Sequence, residues 1–239
     1  MRFPGAAVVG DEARTHFGQP LSLRSYIIVP SVTGLALSLV WPRVGAAALV
    51  RVGPTPNPFD VVAVSLLLVA MYLGARHGSE DYTPGAGTRV RDLVRFTPVT
   101  PPGIVAGKAV FGLGHTLFLV LLGAPFLLAA LSVGGITASQ AVAALGVVAA
   151  AGLCARMLGL LVLVVVRSGP LARDIVILPL IAVGLVLTLL FLPVSCPIDA
   201  VLGRTPRQAW TSVGISLTVG AVFAAAAALA LRITGRHDG

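Results

Sequence analysis

Six stretches of this chain are long, apolar and almost free of charge: about 25–41, 59–75, 105–132, 138–166, 174–194 and 210–232. A helix needs about 20 predominantly apolar residues to cross the hydrocarbon of a bilayer. In lipid every backbone N–H and C=O must be paired within the protein, which leaves helices and closed barrels. The runs are continuous rather than alternating, so barrel strands are a poor fit. They predict an all-α fold, a polytopic membrane bundle of six transmembrane helices forming a single domain over residues 1–239. Only 11% of the 239 residues are charged and the mean hydropathy is +0.96. A soluble domain carries about 25% charged residues. A water-soluble enzyme, a disordered chain and a disulfide scaffold are therefore poor readings.

Several features shape the spans. Pro30, Pro125 and Pro179 fall inside them and are candidate kinks, which membrane helices tolerate where neighbours satisfy the freed carbonyls. The stretch Val44–Val50 either extends the first span or lies at the surface. Ser212, Ser216, Gly220, Ala224 and Ala228 recur every fourth position in the sixth span, and Gly146, Ala150 and Cys154 in the fourth. Such narrow faces allow close helix approach, within one subunit or between two. Cys154 and Cys196 fall in or near different spans and predict no disulfide framework. The first 25 residues carry Asp11, Glu12, Arg14, His16 and Arg24 and lack the apolar core of a signal peptide. The segment Ser195–Arg207 either holds a short re-entrant or surface helix or is an irregular loop.

The formal charge of +8 would indicate nucleic acid in a soluble protein. Here the cations lie between apolar runs, as they do beside an anionic leaflet, so the expected partner is lipid and not nucleic acid. With both termini inside, the inner segments hold Arg2, Arg14, Arg24, Arg76, Arg89, Arg91, Arg95, Lys108, Arg167, Arg173, Arg232 and Arg236. The outer loops hold Arg43, Arg51, Arg204 and Arg207, and Arg156 lies within a span. The positive-inside rule then predicts cytoplasmic termini in the cell's inner membrane.

The inner loop 76–104 carries the most information. A polar, Gly-rich connector is followed by a short amphipathic helix, with Val90, Leu93, Val94 and Phe96 apolar and Arg89, Arg91, Asp92 and Arg95 polar. Thr88 is its expected N-cap and Pro98 ends it. On composition alone this helix lies on the membrane surface. Gly87-Thr88, Leu93-Val94, Thr97-Pro98-Val99, Ile104-Val105 and Gly107-Lys108 resemble the signature of ABC transporter permeases of the type 2 class. Asp11-Glu12-Ala13-Arg14, Phe17 and Gln19-Pro20-Leu21 resemble the amphipathic helix ahead of that family's first span, within a cytoplasmic segment 1–24. Glu80 and Asp81 stand farther upstream than the family's acid, and Arg91 and Asp92 replace a more usual Glu and apolar residue.

The resemblance implies the membrane-spanning subunit of an ATP-driven exporter, paired with a second permease copy or homologue. It implies a coupling helix whose Arg91, Leu93, Val94, Arg95, Phe96 and Thr97 dock on a separate ATP-binding subunit. The chain has no Walker A motif, because the string Gly103–Ala109 has too few residues between its glycines and lacks the Ser/Thr. ATP and magnesium would then belong to the partner, and this chain would hold no cofactor and be no enzyme itself.

The residues point to no catalytic nucleophile, no acidic metal cluster and no His-Glu-x-x-His. All nine acidic residues fall in loops or at span ends, which weighs against a proton-driven secondary transporter. A heme-export-type membrane subunit of cytochrome c maturation is another alternative. His115 and Arg156 each lie roughly 16 Å into a span at 1.5 Å per residue, and so near one level. They either line the pathway for an anionic substrate or serve structure alone. Lys108, four residues past Ile104, is expected to snorkel to the head groups.

Overall fold

The computed structural model describes residues 6–17, 20–41, 57–79, 99–166, 170–191, 196–202 and 205–237. Eight α-helices follow one another among them: α1 (Ala6–Phe17), α2 (Pro20–Val40), α3 (Pro58–Ser79), α4 (Pro101–Gly134), α5 (Ala138–Val165), α6 (Pro170–Phe191), α7 (Pro197–Leu202) and α8 (Pro206–His237). No strand occurs among the described residues. Five helical segments are long and apolar enough to cross a membrane: α3, α4, α5, Leu171–Leu190 of α6 and Pro206–Ile233 of α8. The protein thus has the helices of a multi-pass membrane protein. The first expected span, 25–41, falls in α2, whose apolar part among the described residues, Tyr26–Val40, is shorter than a crossing helix. Its possible continuation, Val44–Val50, lies outside the described residues, as does the expected coupling helix at 89–97.

Local chemistry sets the helix ends. Thr100 is extended and its hydroxyl accepts from the Gly103 N–H, while Pro101 and Pro102 occupy the first positions of α4, where no N–H is needed. Gly135, at φ 65°, takes the left-handed conformation that terminates α4. Two residues on, Thr137 opens α5 with a capping box: its hydroxyl accepts from Gln140 N, and Gln140 Oε1 accepts from Thr137 N. Asn57 joins two helix ends, its Oδ1 accepting from Phe59 N and its Nδ2 donating to Gly134 O at 3.0 Å. Pro30, Pro125 and Pro179 all lie inside helices that continue through them.

Helix α5 is the axis of the bundle. Of its most apolar window 72% is buried, against 11% for α6, which turns Ile175, Leu178, Val183 and Leu187 outward. Helices α3 and α5 meet backbone to backbone. A Cβ at Gly74 would stand 2.4 Å from the Gly152 carbonyl oxygen, one at Gly78 2.1 Å from that of Arg156, and one at Gly159 2.0 Å from that of Ala75. Small residues permit this approach, and in lipid such packing replaces the hydrophobic drive available in water. The small-residue faces of the fourth and sixth runs meet within the subunit. A Cβ at Gly220 of α8 would lie 3.3 Å from Cys154 Cα, and Gly146 faces Trp210 and Val213. The segment after α6 does hold a short helix. Helix α7 packs against α3, α5 and α8, with Cys196, Pro197, Ala200 and Val201 buried.

Replacing Gly78 by Ala tests the α3–α5 contact. The new methyl meets a carbonyl oxygen, and overpacking of this kind costs about 1–3 kcal/mol. A lowered thermal midpoint in detergent is expected for Gly78→Ala. Gly114→Ala, whose Cβ meets nothing within 4 Å, should leave the midpoint unchanged or raised. Equal midpoints for the two variants would rule out the close crossing.

Candidate functional site

Val8, Glu12 and His16 fall four residues apart, and so on one face of α1. That face lies on α4, where Ile104, Lys108, Phe111 and His115 form the facing row. The contact has three rungs. Val8 and Ile104 join Leu160, Leu163 and Leu231 in an apolar cluster. Glu12 Oε1 accepts a short charge-assisted hydrogen bond from Lys108 Nζ. His16 and His115 meet through their Nε2 atoms at 3.0 Å.

Arg156 of α5 closes the site from beneath. It is 2% exposed. Its Nη2 lies 3.8 Å from Glu12 Oε2, its Nη1 lies 3.3 Å from His115 Nδ1, and its Cζ lies 5.2 Å from the centre of the Phe111 ring. Gly112 makes the room, since a Cβ there would stand 2.4 Å from Arg156 Cδ. A guanidinium only donates. His115 Nδ1 therefore accepts, His115 Nε2 carries the ring proton, and His16 Nε2 accepts from it.

His77, near the end of α3, completes a cluster. The rings of His16, His77 and His115 are all buried, with centroids 4.4 to 4.9 Å apart and interplanar angles of 77° to 89°. One nitrogen from each lies within 4.8 Å of the others, close enough together to hold a metal ion. Tyr26 of α2 packs its ring against both His16 and His115.

Glu12 lies in α1, outside the spans as the sequence placed it, but it is drawn into the bundle's edge with its side chain 14% exposed. Burial pushes this carboxyl up, but Lys108 and Arg156 beside it more than offset that and hold it below its ordinary 4.5. Lys108 does not snorkel outward. It is 5% exposed and turned to Glu12, because pairing in a dry interior outweighs a reach to the head groups. His115 and Arg156, placed at one level by counting residues, are in hydrogen-bond contact. Glu12, His16 and His77 were missed. The four-residue spacing of Val8, Glu12 and His16 was a visible signal for the first two, whereas His77 at a span end carried none. Arg91, Leu93, Val94, Arg95, Phe96 and Thr97 lie outside the described residues.

Elsewhere an apolar groove with about 670 Å³ of empty volume runs between α3, α5, α6 and α8, lined by Met71, Leu158, Leu185 and Phe223 among others. Neither His115 nor Arg156 lines it. Comparison with protein-family models, with curated proteins and with solved structures finds no match to this chain.

Glu12→Gln leaves Lys108 and Arg156 buried without their shared countercharge, a change that costs about 3–5 kcal/mol in buried pairs. A lower thermal midpoint in detergent is the expected result. The pH dependence has a definite sign. The carboxyl is held below 4.5 in the folded state, so its contribution is present above 4.5 and lost as pH falls through the lower folded value. The midpoint of the native chain should therefore drop below pH 4.5 more steeply than that of the Gln variant.

Proposed function

We propose that this chain is the membrane-spanning permease subunit of an ATP-driven ABC exporter of the type 2 class. One observation carries the reading. The two segments that resemble that family, 11–21 and 87–108, are joined in space by the ion pair of Glu12 with Lys108, 96 positions apart in sequence. Helix α4 starts at a Thr-Pro-Pro cap just after the expected coupling helix and runs 34 residues without a break. A push on residues 89–97 would pass into the clamped end of α4 and along it. Nucleotide-driven closure of the ATP-binding subunit would thereby bias two arrangements of the bundle.

In this reading the membrane is the cell's inner membrane, both termini are cytoplasmic, and six spans are completed by α2. Two copies, or this chain and a homologue, form the pathway. ATP and magnesium sit on the partner, and hydrolysis is not this chain's chemistry. The groove between α3, α5, α6 and α8 suits an apolar, lipid-borne substrate. Arg91, Leu93, Val94, Arg95, Phe96 and Thr97 are the docking residues.

A second reading gains from the structure. Glu12 between two buried cations, beside three buried histidines where α1 meets the bundle, is a polar cluster of the kind that ion-coupled secondary transporters use. One experiment separates the two. The tagged chain is drawn from membranes in mild detergent, with and without Phe96→Asp, in cells expressing the neighbouring genes. An ATPase that accompanies the native chain and is lost with the variant is the expected result. No ATPase with either form would overturn the permease reading in favour of the carrier.

A further inference from the structure

We infer that His16, His77 and His115 form a binding site for a late first-row transition-metal ion, Zn²⁺ or Cu⁺, at the junction of α1, α3 and α4. The three imidazoles come from three separate helices and are 0%, 2% and 4% exposed. Their planes are nearly perpendicular to one another, at 77°, 85° and 89°. Edge-to-face packing of this kind is common for rings, so the angles alone carry nothing; the observation that carries the site is that one nitrogen from each of three buried rings lies within 4.8 Å of the other two. At metal–nitrogen distances near 2.0–2.1 Å, tetrahedral ligands stand about 3.4 Å from each other. The His16–His115 nitrogen pair at 3.0 Å is close to that edge, and no edge of the triangle exceeds 4.8 Å. Side-chain movement of up to about 1.4 Å closes the widest edge the triangle can have.

The donor set selects the ion. Three neutral nitrogens with no oxygen ligand suit zinc or copper, not magnesium or calcium. Lys108 and Arg156 together carry one more charge than Glu12 neutralises, so a monovalent ion adds least to the buried charge. Loading also has a structural consequence. With the ion on His115 Nε2, the ring proton moves to Nδ1, which then no longer accepts from Arg156. The ion and the Arg156–His115 hydrogen bond are mutually exclusive, so loading releases Arg156 Nη1 from His115, leaving Nη2 beside Glu12, while tying His16 of α1 to α3 and α4.

The test uses the full chain in detergent, purified without a polyhistidine tag and stripped with chelator. Co²⁺ is titrated as a spectroscopic stand-in for Zn²⁺, and Cu⁺ is titrated anaerobically against a chromophoric chelator. One equivalent per chain at micromolar or tighter affinity is expected, with intense tetrahedral Co²⁺ bands in the Zn²⁺ case and Cu⁺ binding alone in the other. His16→Gln and His77→Gln should each weaken binding by more than about a hundredfold. Thermal melts identify variants that still fold. The absence of saturable binding of either ion by the folded native chain, or undiminished binding in folded variants, overturns the site. Should neither variant fold, the native spectrum decides: pale octahedral Co²⁺ absorption together with no Cu⁺ binding overturns it as well. This test needs no ATP-binding subunit, so it stands or falls apart from the permease reading.

Discussion

Lys108 and Arg156 are buried side by side at one end of this bundle, and the carboxylate of Glu12 makes that possible. Lys108 and Arg156 sit on different helices of the core and are 5% and 2% exposed. Left unpaired in a medium of low dielectric, the lysine would be driven outward or lose its charge, and the arginine, which keeps its charge, would be driven outward. Glu12 reaches both, one oxygen to each. Because Glu12 belongs to α1, this short helix is held on the bundle. It is fastened to the bundle by charge, with Val8 packed on one side of the pair and His16 on the other.

The arrangement of the histidines follows from that fastening. Once Glu12 is fixed, His16 one turn later must enter the space between α3 and α4, where His77 and His115 already stand. Arg156 then orders the cluster electronically, since a guanidinium that only donates settles which nitrogen of His115 carries the proton. Docking of α1, burial of Arg156 and convergence of the imidazoles are thus one linked structure. Gly112 belongs to it as well, because any side chain there would occupy the space of the arginine stem.

Much of the fold was legible in the sequence, and the reasons it became illegible are physical. Thr100-Pro101-Pro102 announces the start of α4, and the apolar runs announce α3 through α6 and α8. Counting 1.5 Å per residue from the span ends brought His115 and Arg156 to one level. The rank of the helices was hidden. Helices α5 and α6 have hydropathies of 2.3 and 2.2, yet 72% of one window is buried and 11% of the other. A bilayer is as apolar as a protein core, so composition does not tell a central helix from a peripheral one. The pairing of Glu12 with Lys108 was hidden for a different reason. It spans 96 positions, and no local pattern encodes a partner that distant. The expected coupling residues 91–97 lie outside the described residues, so that part of the reading rests on the sequence.

The glycine-lined crossing of α3 and α5 limits how such a bundle can move. Two helices in contact through their carbonyl oxygens have no side-chain layer between them to shear, and the contact extends from Gly74 to Gly78 on one helix and Gly152 to Gly159 on the other. Rotation of either about its own axis would drive a Cβ into backbone. The pair therefore behaves as a stator. Of the elements around that pair, α8 is itself packed on α5 at Gly220, whereas α6, with 11% of its apolar window buried, is the least enclosed and the one with most room to shift while α3 and α5 keep a constant frame.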